Sequence, residues 1–233
     1  MRQVGNNIKK FLWDLLFPIK CIKCRQEGEW LCSDCRGGVK ICNENICPIC
    51  GGPNNDGAVC GYCKCHSHLD GLSVVADNNE IIKKIIYLLK YNFVVSLEEE
   101  LRILLVKYFK INPFWRDFYV LVPVPLHPKK FLHRGFNQAD LITRLISGIN
   151  GSEINSSIIK RVKYNRPQVG LSAEKRRINI LDNFAVCDVG GDKNKTIILI
   201  DDVYTTGATM SECAKELKRA GYKKVWGLAL VRG

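Results

Sequence analysis

No apolar run in this chain approaches the roughly 20 residues that a membrane-spanning helix needs, so no membrane span is expected. The most apolar stretch near the start, Phe11-Leu-Trp-Asp-Leu-Leu-Phe17, is interrupted by Asp14 and followed by no small-residue cleavage site, which argues against a secretory leader. It reads instead as a short amphipathic helix packed on the body, and the protein as cytoplasmic. Acids are also scarce. Asp and Glu number 23 against 35 Lys and Arg, a formal net charge of +12, which points to an anionic partner: a phosphorylated metabolite, a nucleic acid or a membrane surface. Low-complexity tracts are absent, and nothing repeats except pairs of cysteines. The 233 residues, 46% of them hydrophobic and 25% charged, suffice for one α/β domain with a small appendage.

Cysteine is nearly missing after residue 65, where only Cys187 and Cys213 remain; the other ten of 12 lie between Cys21 and Cys65. Eight of them form C-x-x-C pairs: Cys21/Cys24, Cys32/Cys35, Cys47/Cys50 and Cys60/Cys63. Each such turn points two thiolates at one tetrahedral position, so four pairs complete two Cys₄ zinc sites. Disulfides are the competing reading, but nothing marks export, and thiols in a reducing compartment stay reduced. Sequential pairing (21/24 with 32/35, 47/50 with 60/63) gives two ribbons in series, and interleaved pairing remains open at this point. Cys42, Cys65, His66 and His68 are left spare. A closed Cys₄ site has no open position, so both zincs are expected to be structural, in a head too poor in large apolar residues to fold alone. The expected division is 1–68 for the helix and double ribbon, and 69–233 for the body.

From Leu69 onward strand and helix patterns alternate. Strands are expected at Gly71–Ala76, Phe118–Val124, Ser157–Val162, Thr196–Ile200 and Lys224–Val231. Helices are expected at Glu80–Tyr91, Leu97–Phe109, Phe136–Ile149 and Ala208–Ala220, with another beginning at Ser172. This order predicts an α/β fold with a mostly parallel sheet flanked by helices. Between Lys160 and Arg177 stand seven basic residues and one acid, a local charge of +6 and half of the whole excess. A solvated basic face is the plainest reading of such a run.

The stretch Ile197-Ile-Leu-Ile-Asp-Asp-Val-Tyr-Thr-Thr-Gly-Ala-Thr209 concentrates the chemistry. Sites in open α/β sheets lie beyond the carboxyl ends of strands, where Asp201 and Asp202 are expected. Thr205 to Thr209 lead into a helix whose first N–H groups, with hydroxyls and a close-packing glycine, can cradle a phosphate. Paired carboxylates cannot bind phosphate, but they accept hydrogen bonds from two vicinal hydroxyls. Hydroxyls beside a phosphate describe a ribose 5-phosphate. Helix capping or a structural cation is the alternative, yet capping needs one acid, not two.

The strand–Asp-Asp–x-x-Thr-Thr-Gly-x-Thr pattern resembles the ribose-phosphate loop of type I phosphoribosyltransferases. With Pro123-Val-Pro125, Arg134-Gly-Phe-Asn-Gln138, Gln168-Val-Gly-Leu-Ser172, Arg176 and Asn179, the chain resembles the ComF family of competence-associated, phosphoribosyltransferase-like proteins, from about Leu15 to Arg232. That resemblance implies an N-terminal double zinc ribbon followed by a type I phosphoribosyltransferase-like fold. It implies that Asp201 and Asp202 bind the ribose hydroxyls of phosphoribosyl pyrophosphate (PRPP), and that Thr205, Thr206, Gly207, Ala208 and Thr209 hold its 5-phosphate. Lys129, Lys130 and Arg134 would face the pyrophosphate. Lys160–Arg177 would be a hood closing over the site, with Arg134, Arg176 and Arg177 as the catalytic cations and Mg²⁺ accompanying PRPP.

One departure stands out. Purine-salvage relatives carry an aspartate two residues before the loop glycine, where this chain has Thr205, and the start Met1-Arg2 offers no N-terminal cysteine for a glutaminase, so the acceptor is unassigned. Three functions remain: PRPP binding coupled to handling of single-stranded DNA in natural transformation, a phosphoribosyltransferase without a DNA role, or a zinc-ribbon adaptor for competence-machinery proteins.

Overall fold

The computed structural model describes residues 19–43, 46–54, 57–91, 97–112, 119–163, 180, 182–187 and 190–233, without the side chains of Tyr91 and His133. The Phe11–Phe17 helix and the helix expected from Ser172 lie outside these residues.

Five parallel strands form the main sheet, in the order β1 (Gly71–Ala76), β7 (Val225–Arg232), β6 (Thr196–Tyr204), β2 (Tyr119–Pro123) and β3 (Glu153–Ile154). A two-stranded antiparallel unit, β4 (Ile159–Arg161) with β5 (Phe184–Val186), stands apart. The fold class expected from the sequence is the one observed. Strands buried on both faces read as continuous aliphatic runs, and Ile197, Ile198, Leu199 and Ile200 are all buried.

Helices cover both faces. On one lie α2 (Glu80–Tyr91), α3 (Leu97–Ile111) and α5 (Gln138–Asn150), whose Ile85, Leu101 and Ile142 pack on Leu121, Ile198 and Leu228. On the other, α6 (Ala208–Arg219) sets Met210, Cys213 and Leu217 against Val122, Ile197 and Ala229. Asn79 caps α2 by accepting from the Ile82 N–H at 3.0 Å, and Asn137 caps α5 by accepting from the Ala139 N–H. Each cap satisfies one of the orphan donors of a helix start.

The head is not an isolated appendage. Residues 41–42 run along the open edge of β1, with an Ile41–Ala76 bridge and a hydrogen bond from Cys42 N to Val75 O at 3.0 Å. An edge covered in this way offers no free row of donors and acceptors. Ile22, Leu31, Cys35 and Val39 of the first ribbon share one apolar core with α2 and α3. The Arg36 guanidinium, from the short helix α1 (Ser33–Gly37), grips the buried Glu100 carboxylate at 2.8 and 2.9 Å.

Several elements differ from the sequence reading. β6 continues four residues past Ile200 because Asp201, Val203 and Tyr204 still pair with Ala229, Val231 and Arg232 of β7. The two aspartates therefore belong to the strand. A helix that the sequence reading omitted, α4 (Pro128–Arg134), is set by proline at its first turn and by His127 Nδ1, which accepts from the Lys129 N–H at 3.1 Å.

Candidate functional site

Two kinds of site are built on this frame. In the head the sulfur atoms of Cys21, Cys24, Cys32 and Cys35 lie within 4.8 Å of one another, as do those of Cys47, Cys50, Cys60 and Cys63. The pairing is sequential, which settles the connectivity that spacing left open. Tetrahedral Zn–S bonds of about 2.3 Å place sulfurs about 3.8 Å apart, and the Cys24–Cys32 and Cys50–Cys60 separations are 3.6 and 3.9 Å. Burial alone would raise Cys21 and Cys47, but backbone N–H groups donating to their sulfurs outweigh it and hold each at about 6. Cys35 and Cys63 are pushed up to about 12 by burial and by their sulfur neighbours. One thiolate per quartet is thus stabilised by the protein, and a divalent cation is what would deprotonate the rest. The residues fit zinc. Cys42, Cys65, His66 and His68 stand outside both quartets.

The second site lies at the carboxyl edge of the sheet. Asp201 and Asp202 follow one another in β6, and their carboxylates lie close enough to interact directly. Asp202 turns toward α2, where Lys90 Nζ pairs with its Oδ2 at 2.7 Å. Asp201 accepts from the Asp202 N–H at 2.8 Å. Burial, and then the neighbouring charge of Asp202, push Asp201 up to about 8. Near neutrality the pair therefore carries closer to one negative charge than two.

The loop that follows turns at Gly207, whose φ of +71° is left-handed. A Cβ at that position would collide with the hydroxyl and ring of the buried Tyr204, so both backbone conformation and space require glycine. Gly207 is the N-cap of α6 and supplies no side-chain cap, and Thr206 Oγ1 accepts from the Ala208 N–H at 3.4 Å. The start of a 12-residue helix is thus open to an anion. A cavity of about 500 Å³ runs along this loop, lined by Thr206, Gly207, Ala208 and Ser211 and by His66 and His68 of the second ribbon.

Cations gather on the β2 side. The half-buried Lys130 is pulled down by burial and then by Arg161, Arg134 and Lys90. Arg161, stacked over Phe184 at 5.5 Å, is also pulled down, by burial. Its Nε is buried with no hydrogen-bond partner among the described residues, as is Nε2 of Gln138. Arg134 donates to Gln138 Oε1 at 3.4 Å. Clustered cations with unused buried donors suit a polyanion.

The structure therefore brings together Asp201, Asp202, Thr206, Gly207, Ala208, Lys130 and Arg134. Lys129 follows on the same α4 turn, Thr205 is exposed on the loop, and Thr209 is in the first turn of α6. Of the basic run, Lys160 and Arg161 are in β4, whereas Arg176 and Arg177 lie outside the described residues. Sequence reasoning missed Lys90, one polar position on an amphipathic helix with no local signal, and left His66 and His68 without a role. No helix among the described residues is long and apolar enough to cross a membrane.

Fold and site define an α/β protein with an anion-ready loop at the carboxyl edge of its sheet and two four-cysteine clusters built against that sheet. Residues 12–64 match the double zinc ribbon domain model. The whole chain is similar to competence protein F of Haemophilus influenzae, 31% identical over 227 residues that cover 91% of this chain and 97% of that one. The DNA utilization protein YhgH of Escherichia coli (strain K12) is 30% identical over 226 residues, 92% and 98% of the two chains. Competence protein ComFC of Bacillus subtilis is 26% identical over 230 residues, 90% and 84%. This chain belongs to that competence protein F family. Among solved structures, a purine phosphoribosyltransferase from Pyrococcus horikoshii aligns with 58% of this chain and 82% of its own at 15% identity and a TM-score of 0.32. Adenine phosphoribosyltransferase from Leishmania tarentolae aligns with 68% and 76% at 16% identity, also with a TM-score of 0.32.

Proposed function

We propose that the chain binds PRPP with Mg²⁺ along the carboxyl edge of β2 and β6, as a phosphoribosyltransferase-like protein of its family, and handles single-stranded DNA during DNA uptake. The observation that carries the ligand is the glycine-turned start of α6 a few residues after the carboxylate pair, with cations that hold unused buried donors beside that pair. In this reading the 5-phosphate takes the N–H groups and hydroxyls of Thr205–Thr209, and Asp201 and Asp202 accept from the ribose hydroxyls. Lys129, Lys130, Arg134 and Arg161 face the pyrophosphate. Arg176 and Arg177 complete the hood, and Mg²⁺ offsets charge between pyrophosphate and ribose oxygens. If turnover occurs, these cations stabilise the leaving pyrophosphate as C1 gains positive character. Two structural zinc ions per chain and a reducing, cytoplasmic setting follow from eight paired thiols. The DNA role draws on the names of the relatives, which refer to competence and DNA utilization.

Titrating PRPP with Mg²⁺ by calorimetry while assaying pyrophosphate release, with and without single-stranded DNA, tests the reading; no PRPP binding under any of these conditions would remove it. The same titration carries a pH signature. Asp201 accepts best when ionised, and its carboxyl is held up at about 8. Affinity should therefore rise from about pH 6 and level off above about pH 8, and Asp201→Asn should flatten that rise. Stability moves the other way, because a carboxyl raised in the folded state contributes fully below its unfolded value. That contribution is lost as pH rises through about 8.

Binding of single-stranded DNA should weaken with salt, by roughly 0.7 in log K per log salt for each phosphate contact. Arg161→Ala should flatten that slope by about one contact, and saturating PRPP should compete for the same cations. DNA affinity indifferent to both would confine the basic groups to the small-molecule site.

A further inference from the structure

The phosphate loop and its neighbouring cations leave an apolar surface beside them unused. Where β2 ends, Pro125 and Leu126 lead into α4, whose Pro128, Phe131 and Leu132 are spaced to share one helical face. These five side chains, with Asp140 of α5, line a groove of about 390 Å³. Leu132 is 83% exposed and Phe131 44%. Single apolar residues are ordinary on a surface, but two large ones over one groove mark a contact. The groove is also rigid. Asn137 donates to Val124 O at 3.0 Å and accepts from the Ala139 N–H, and the left-handed Gly135 closes α4 by donating to Phe131 O.

Cations border this apolar face on both sides. By helical spacing the exposed Lys129 comes next to Leu132, and Arg134 next to Phe131. Lys130 stands with Arg134 on the face turned toward Arg161 and Lys90. His127, at the head of the helix, feels the same charges: burial, then Arg161, Lys129 and Lys130, pull it down. We infer that the groove is a base-stacking platform for single-stranded nucleic acid. Unstacked bases lie against Phe131, Leu132 and the proline rings, while the sugar–phosphate backbone follows Lys129, Lys130 and Arg134. The inference rests on the DNA reading above and names a surface for it.

Charge and shape choose this occupant over others. A second copy of the chain would bring its own Lys129, Lys130 and Arg134 against the same cations. A duplex keeps its base faces stacked on one another and has none to offer a ring. A single strand presents flat apolar faces and a row of phosphates together, and stacking on an aromatic platform beside cations is how such strands are held without regard to sequence. Asp140 divides the two parts. Its carboxyl lines the groove and is held up by burial, so a phosphate is disfavoured inside and the backbone is left to the cations. Lys130 and Arg134 serve strand and PRPP alike, so the two ligands meet across α4.

The test uses the full chain and two labelled strands of about 20 nucleotides, long enough for one binding site: oligothymidine, and an abasic strand with the same backbone. Fluorescence anisotropy gives the affinity of each for wild type, Phe131→Ala, Phe131→Trp and Leu132→Ser, with melting curves to confirm folding. Phe131→Ala should weaken oligothymidine binding roughly 5- to 100-fold, the range for one lost stacking partner, and Leu132→Ser should weaken it less. Phe131→Trp should keep wild-type affinity or exceed it. Abasic-strand affinity and PRPP affinity should stay within about twofold in all three variants, as for surface changes away from a contact. The salt slope should not change, because no phosphate contact is removed. Oligothymidine affinity unmoved in a folded Phe131→Ala protein would overturn the platform and leave the DNA reading standing. An equal loss for the abasic strand would also overturn it, since the contact would then be to backbone. Wild type that binds neither strand at any salt concentration would remove the platform and the DNA reading together.

Discussion

Replacing Asp201 and Asp202 together by alanine should weaken PRPP binding by ~10²–10⁴-fold, since two hydrogen bonds to charged acceptors contribute about 1.5–3 kcal/mol each. The single substitutions should not be equal. Asp202 is held by Lys90 at 2.7 Å, so binding through it must first break an ion pair in a partly buried place. Removing Asp202 alone frees Lys90 for the pyrophosphate and offsets part of the loss. Asp201 has no such ion pair among the described residues, and Asp201→Ala should carry the larger single effect. Calorimetric titration of the three variants, with melting curves to confirm folding, is the check. Wild-type affinity in a folded double variant would place the ligand elsewhere. Gly207→Ala should match the double variant by another route, because a Cβ there meets the Tyr204 ring and hydroxyl and demands a left-handed backbone from an L-residue.

What the sequence disclosed follows how local each signal is. Thiol pairs three positions apart, the aliphatic run Ile197–Ile200 and the hydroxyl–glycine loop each carry their meaning within a few residues, and all stand where they were expected. Features that depend on a distant partner did not show. Asp201 and Asp202 look like the start of a loop until Ala229 and Val231 extend the strand pairing past them. Lys90 is one polar position in a helix pattern, and only the fold sets it 2.7 Å from Asp202. Short β3 and β5 have too few residues for a period to register. The α4 signal was local and was passed over: proline at the first turn with a capping residue before it marks a helix start. His66 and His68, spare by ligand arithmetic, line the phosphate-loop cavity because the ribbon folds back onto α6.

Cys32→Ser should cost the whole protein its stability, and Cys60→Ser should not. The first quartet is embedded: Cys21, Cys32 and Cys35 belong to the same apolar core as Ile81, Ile85 and Leu101. Arg36 binds Glu100 of α3, and Lys84 of α2 donates to Ile22 O at 3.0 Å. Structural zinc contributes about 10–16 kcal/mol in small metal-folded domains, as much as the roughly 5–15 kcal/mol that holds a typical protein folded. Loosening the first ribbon strips cover from α2 and α3 and leaves Glu100 buried beside a freed Arg36, a break that costs about 3–5 kcal/mol by itself. The second ribbon is attached differently. Of its four sulfurs, Cys47 and Cys63 are buried, but neither joins either apolar core. Among the described residues its hydrogen-bonded ties to the sheet include the Ala58–Gly71 bridge, Val59 N to Asp70 O, and the Arg232 bond to Pro48 O. Loss of its metal should leave the body melting as a unit within a few degrees of wild type, with the loop cavity opened where His66 and His68 withdraw. Metal content near two zinc per chain for wild type and near one for each variant, set beside their melting temperatures, decides the matter. A Cys32→Ser protein that loses one zinc yet melts with wild type would show that the first ribbon, for all its shared core, is not what holds α2 and α3 in place.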